Sequence, residues 1–135
     1  MSISEPIKVH TEPRTSEMLT ACLYDLIRTS RGMQPYDVVV GWTIGDTIAQ
    51  ATQELGEFSE QVMISAGKIP HKEAEYNGIA YEAADVIICV IDAYTKQHPD
   101  ESPAALLQKL SAAIDKKSEK WKVKVAKQVA DKLAS

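Results

Sequence analysis

From Thr15 onward, apolar residues return at every third or fourth position. Met18, Leu19, Cys22, Leu23, Leu26 and Ile27 form the first such run, which predicts a helix that stops before Gly32. The following stretch, Met33 to Trp42, contains Pro35 and Gly41 and is expected to be a connector, with Val38 to Val40 too short a run to need a sheet. A second helix is expected from about Thr43 to Ala66. Its apolar positions Ile44, Ile48, Ala51, Leu55, Phe58 and Val62 step four, three, four, three, four, the seam of a helix lying nearly parallel or antiparallel to its neighbours. The third, about Glu75 to Lys96, is apolar on almost every side through Ile79, Ala83, Val86, Ile87, Ile88, Val90 and Ile91, which predicts burial all round. In the fourth, Ser102 is placed to cap and Pro103 to occupy the first helical position, ahead of a stripe at Leu106, Leu110, Ile114 and Trp121. That helix either continues through the C-terminal tail or breaks near Trp121.

Four helices with short links and no strand pattern predict an all-α fold, a four-helix-bundle-like domain over residues 15–135 behind an arm at 1–14 that holds two prolines. At 135 residues the chain fits one domain, able to bury close to 70% of its unfolded surface. The apolar girth of helix three exceeds what three neighbours in so small a domain cover, which points to a dimer or a dimer of dimers.

Composition narrows the function classes. With 44% apolar and 25% charged residues, the chain matches ordinary globular proteins rather than disordered ones. No apolar run approaches the ~18 residues of a membrane span, and "MSISEPIKVH" lacks the features of a secretory signal, so no membrane partner and a cytoplasmic location are expected. The net charge of −4 is uneven: residues 1–108 hold seven Lys or Arg against sixteen Asp or Glu, and 109–135 hold eight against three. An acidic chain without a dominant basic face argues against a nucleic-acid partner. Cys22 and Cys89 sit on apolar helix sides and are expected to be small buried hydrophobes. His10, His71 and His98 have no ligand spacing, so a zinc site is not expected.

Against that background, "ATQELGEFSE" at 51–60 and "YEAADVIICV" at 81–90 stand out. Each puts two carboxylates three residues apart, and so on one helix face: Glu54 with Glu57, and Glu82 with Asp85. Like charges gathered in a low dielectric require protonation, partner Lys or Arg side chains, or a divalent cation. Carboxylates without histidine or thiol neighbours are hard ligands, which makes Mg²⁺ the default, with Mn²⁺ as a substitute. A di-iron bundle would need a Glu-x-x-His, and no histidine here has a Glu three residues before it. Mg²⁺ held by a few carboxylates typically serves substrate phosphates. The candidate counter-charge is "DKKSEKWK" at 115–122, where Lys116 and Lys120 stand four apart. The GxxxxGK[ST] phosphate loop is missing, so the expected reaction is phosphoanhydride hydrolysis without that machinery.

The pair "QELGEFSEQV" and "YEAADVIICVIDAY", with 24 residues between Glu57 and Glu82, resembles the ExxE and ExxD motifs of the MazG-like all-α nucleoside triphosphate pyrophosphohydrolases. The later "AAIDKKSEKW" looks like the basic segment that ends their catalytic domain, so that the likeness covers about residues 42–121. The resemblance implies that Glu54, Glu57, Glu82 and Asp85 are catalytic, metal-binding carboxylates, that Lys116 and Lys120 hold phosphate oxygens, and that Trp121 replaces an aromatic found after the basic residues. It also implies a nucleoside triphosphate substrate, monophosphate and pyrophosphate as products, and a homodimer or homotetramer. Trp42 resembles an aromatic that stacks on the base in some relatives; the alternative is a capping contact at the bundle end. The chain departs from the family at Lys117, Ser118 and Glu119, where relatives carry Asn and Arg, and at Asp92, where some have Asn; Asp92 is either an added metal ligand or a substrate determinant. Two other readings stand beside this one: a phosphoribosyl-ATP-type pyrophosphatase, and a non-catalytic helical interaction module whose acidic stripes pair with lysines.

Overall fold

The computed structural model describes the backbone of residues 13–135 and the side chains from residue 17 onward. The expected arm therefore lies outside the described residues as far as residue 12, as does His10. Four helices follow, with no strand among the described residues: α1 (Pro13–Val40), α2 (Ile44–Ser65), α3 (Gly78–Gln97) and α4 (Pro103–Ala134). The all-α expectation holds, and α4 runs unbroken past Trp121.

The connector expected at Met33 to Trp42 is instead the end of α1, which continues through Gly32 and Pro35 to Val40. A proline inside a helix removes a backbone bond and costs about 3 kcal/mol. Contacts on both sides of it offset that cost. Ser30 Oγ donates to Asp92 Oδ1 at 2.6 Å, and the Arg31 guanidinium donates to the carbonyls of His98 (2.9 Å) and Pro99 (2.6 Å). Beyond the proline, Lys96 pairs with Asp37 at 2.5 Å. The helix ends where Gly41 turns left-handed (φ 71°), with Gly41 N–H donating to the Val38 carbonyl and Trp42 N–H to that of Asp37.

Trp42 leads into Thr43, whose side chain accepts from Asp46 N–H while the Asp46 carboxylate accepts from Thr43 N–H, a reciprocal cap that starts α2. The backbone bond from Thr43 holds the Asp46 carboxyl below its usual range. Gly67 (φ 73°) closes α2 with the same pair of bonds that Gly41 makes. α3 starts after Asn77, itself left-handed (φ 58°), at the buried Gly78; a Cβ there would meet Gln61 Oε1 at 2.5 Å, so glycine permits the close approach of α2's end. Ser102 Oγ accepts from Ala105 N–H and Pro103 opens α4, as expected.

The chain divides into two compact units, one running to Asp100 and the other from Glu101 to Ser135, so that the motif-bearing stretch 42–121 includes parts of both. In the first unit α3 packs against α2 most extensively and also against α1. Thr47 meets Asp92 and Gln61 meets Gly78, so α2 and α3 run antiparallel; Ser30 with Asp92 and Asp37 with Lys96 show α1 and α3 running in the same sense.

Three expectations about burial are corrected. The α2 seam is rotated: Thr47 is buried and Ala51, Glu54, Phe58 and Gln61 are half-buried, whereas Ile48, Leu55 and Val62 are exposed. Thr47, Glu54 and Gln61 share the heptad spacing of those apolar residues, and their polar groups are the ones that meet α3. Helix three is covered on the sides facing α1 and α2 but leaves Ile87, Ile88 and Val90 exposed. Cys22 is exposed as well, because α1's first described turns, with Met18 and Leu19, have no covering neighbour among the described residues of this unit, while Cys89 is buried as expected.

These backbone assignments yield opposite outcomes for two glycine substitutions. Gly41→Ala places a Cβ on a left-handed residue and should cost about 1–2 kcal/mol. Gly32→Ala, in a helix interior with nothing within 4 Å, should gain about 0.5–1 kcal/mol. Urea unfolding monitored by circular dichroism measures both; a loss at Gly32 would show that α1 does not continue to Val40.

Candidate metal and ligand site

The antiparallel register of α2 and α3 sets Glu54 and Glu57 opposite Glu82 and Asp85. One carboxylate oxygen from each of Glu54, Glu82 and Asp85 lies within 4.8 Å of the other two. Glu57 stands beside that trio, within hydrogen-bonding reach of both Glu54 and Glu82. The four residues that two separate motifs single out therefore form one cluster.

Its electrostatics are unfavourable without a counter-charge. Burial, then the charges of Glu57 and Asp85, raise the Glu54 carboxyl above its ordinary value, and the same causes in the same order raise Glu82. Oε2 of Glu54 and Oε2 of Glu82 are buried and accept no hydrogen bond. None of the four carboxylates forms an ion pair among the described residues, which removes lysine pairing within the described chain as the source of neutrality. What remains is a proton or a cation. The donor set is all oxygen, with one oxygen from each of three residues within 4.8 Å of the others, so its chemistry suits a hard dication.

One helical turn beyond Asp85, Cys89 links this cluster to a second feature. Its thiol is pushed up by burial and then by the charges of Glu54, Asp92 and Asp85. Beyond it opens a cleft of about 620 Å³ between α1, α2 and α3. Leu26, Met33, Val40 and Ile88 give it apolar walls, and Trp42 lines it too, its indole fixed by Nε1 donating to Thr47 Oγ1 at 2.8 Å. Trp42 thus makes a capping contact and lines a cavity at once.

The cleft also has a polar end. Asp92 accepts from Ser30 Oγ (2.6 Å), Lys96 Nζ (2.8 Å) and Thr47 Oγ1 (3.3 Å), and Lys96 bonds Asp37 as well. Asp92 is therefore committed to this network and stands apart from the Glu54, Glu82 and Asp85 trio. Burial pulls the Lys96 ammonium down, but its hydrogen bonds to Asp37 and Asp92 outweigh that and raise it above the ordinary lysine value.

Ser30, Asp37, Thr47 and Lys96 escape motif reading. Asp37 follows a proline that reads as a break, and Thr47 lies off the apolar seam; the available signals were the spacings of seven between Ser30 and Asp37 and of four between Asp92 and Lys96. Of the other candidates, Lys116, Lys120 and Trp121 are exposed on α4 in the second unit. In the loop before α3, Lys68 and His71 are exposed and Lys72 pairs with Glu60. No family model, curated protein or solved structure matches the chain.

Raised carboxyl groups fix the sign of a pH effect. Between the ordinary glutamate value of 4.5 and the raised folded values, the folded chain binds more protons than the unfolded one. The stability that protonation of Glu54 and Glu82 confers is present at low pH and is lost as pH climbs through that window. The metal-free melting temperature should therefore rise on mild acidification from neutral pH, and Mg²⁺ at pH 7 should raise it and flatten the dependence. Glu82→Gln should raise metal-free stability and abolish the Mg²⁺ effect. Scanning fluorimetry over a pH series reads all three; a melting temperature indifferent to both acid and Mg²⁺ would contradict the site.

Proposed function

We propose that this chain is a Mg²⁺-dependent pyrophosphohydrolase that cleaves a nucleoside triphosphate, including deoxy or non-standard forms, to the monophosphate and pyrophosphate. The reading rests on one observation: Glu54, Glu82 and Asp85 converge within 4.8 Å with Glu57 beside them, and two of their oxygens are buried without a partner. The resemblance of the two motifs to the MazG-like enzymes agrees with it. A cleft of nucleoside size, lined by Cys89 one helical turn from Asp85, agrees with a substrate that carries both phosphates and a base.

In this reading Glu54, Glu82 and Asp85 hold the ion, which supplies neutralising charge and polarises a phosphoryl oxygen when bound. Glu57, next to the trio, orients the attacking water and accepts its proton as the phosphorus–oxygen bond forms. The bond between the α and β phosphates breaks, and pyrophosphate leaves with the bridging oxygen. Oε2 of Glu54 and Oε2 of Glu82 are turned away from bulk water, while Glu57 and Asp85 face it.

Incubation with each ribo- and deoxyribonucleoside triphosphate and Mg²⁺, with pyrophosphate as the readout, tests the reading. Turnover is expected, with Glu57→Gln lowering kcat about 100-fold or more while Mg²⁺ still raises the melting temperature. Absence of pyrophosphate from every nucleotide, or full activity in Glu82→Gln, would overturn it.

The exposed apolar flanks at Ile48, Leu55 and Val62 on α2 and at Ile87 and Val90 on α3 support a working homodimer or dimer of dimers. Light scattering after size exclusion should give a multiple of the 14.9 kDa chain mass, and Leu55→Glu should lower it. A monomer at all concentrations would exclude that assembly.

A further inference from the structure

We infer that residues 33–41, at the end of α1, form a lid that swings on Gly32 and Pro35 to open the cleft, with the Asp37–Lys96 ion pair as its latch. The inference concerns access to the cleft and stands apart from whether the neighbouring acidic cluster hydrolyses nucleotides.

α1 changes character at Arg31. Up to that point the helix is rooted: Ile27 and Ser30 are buried, and the Arg31 guanidinium donates to the carbonyls of His98 and Pro99. Beyond it, no residue from 32 to 42 is buried. A helical segment that buries no apolar side chain opens at a lower free energy than a packed one. Bending has its place as well. Pro35 has no N–H to give the Arg31 carbonyl, and Gly32 has nothing within 4 Å of where a Cβ would stand, so neither a backbone bond nor a side chain opposes a kink there. At the far end, the left-handed Gly41 (φ 71°) closes the helix, and Trp42 is anchored through Nε1 to the buried Thr47. The movable piece is thus bounded by two fixed points, Arg31 and Trp42.

The inner face of this piece is a wall of the cleft. Met33, Tyr36, Asp37 and Val40, at i, i+3, i+4 and i+7, all line it, while Val38 and Val39 face solvent. Lifting that face uncovers the α3 wall, which includes Ile88 and Cys89. What holds the face down is polar. Lys96 Nζ meets Asp37 at 2.5 Å and Asp92 at 2.8 Å. Asp92 lies on the same helix as Lys96, so the ammonium keeps that partner when the segment lifts, and the Asp37 carboxylate passes into water. Neither charge is left buried and alone, which lets the latch open reversibly.

Cys89 reports the opening, because it lies in the α3 wall and is only 8% exposed. In the Cys22→Ser chain, which leaves Cys89 as the one thiol, labelling by N-ethylmaleimide is timed without ligand or metal, and amide hydrogen exchange is followed by mass spectrometry on the same sample. Labelling should run faster than the global unfolding measured in urea allows, and residues 33–41 should exchange ahead of residues 27–31. Asp37→Ala should speed both processes about tenfold or more, while exchange in α2 and α3 stays as in the parent. Gly32→Ala, which stiffens the hinge, should slow the labelling of Cys89. If Asp37→Ala fails to fold, the parent chain and Gly32→Ala decide. Labelling no faster than global unfolding, a parent rate in folded Asp37→Ala or in Gly32→Ala, or acceleration spread evenly over α2 and α3 would each overturn the lid. Pyrophosphate release has no part in this readout, so the lid and the hydrolase can each fail without the other.

Discussion

The mutual repulsion of carboxylates at the α2–α3 contact is the constraint around which the first unit is organised. A helix pair that packs through Glu54, Glu82 and a buried threonine forgoes the apolar contact that Ile48 and Leu55 would have supplied from the adjoining flank. Burying charge without a partner is among the most costly choices open to a small domain. Two buried carboxylate oxygens without a hydrogen bond mark where that cost is concentrated. Burial and neighbouring charge raise the Glu54 and Glu82 carboxyls, so neutralising them favours the folded chain.

The second polar group in the unit is balanced quite differently. Around Asp92 the donors of Ser30, Thr47 and Lys96 are arranged on three helices, so the carboxylate is satisfied and ties α1, α2 and α3 together. Asp85 and Asp92 lie about two turns apart on α3, yet Asp92 has its donors and an ammonium beside it, whereas the acids around Asp85 have no ion pair among the described residues. That contrast separates a network neutralised by its own lysine from a cluster that has no counter-charge among the described residues. Cys89, between them, is a buried thiol among negative charges, a setting that suppresses thiolate chemistry and leaves it a packing role.

Much of this was legible in the chain. The extent of α2, from about Thr43 to Ala66, and the start of α4 at Ser102 and Pro103 were readable, because local chemistry there agrees with the tertiary setting. The four acids could be named because i, i+3 spacing fixes a shared face, and their convergence followed once α2 and α3 were neighbours. The extent of α1 was hidden: Gly32 and Pro35 are breakers locally, and the contacts that outweigh them come from residues some sixty positions away, at Asp92, Lys96 and His98. The orientation of α2 was hidden for another reason. Residues 47, 54 and 61 and residues 48, 55 and 62 have the same period, so spacing alone cannot tell which row meets α3 and which is left open. The cleft's polar end was missed with both, since it needs Asp37 on a helix and Thr47 facing inward.

The last turn of α1 sets three successive valines, Val38 to Val40, in solvent, with Val38 and Val39 more than four-fifths exposed. β-Branched residues are poor helix formers and good strand formers, so this tripeptide stays coiled because the ammonium of Lys96 grips Asp37 just ahead of it. Loss of that one ion pair would therefore do more than expose a charge: it would leave a β-branched, solvent-facing segment at the rim of the cleft without its anchor to α3.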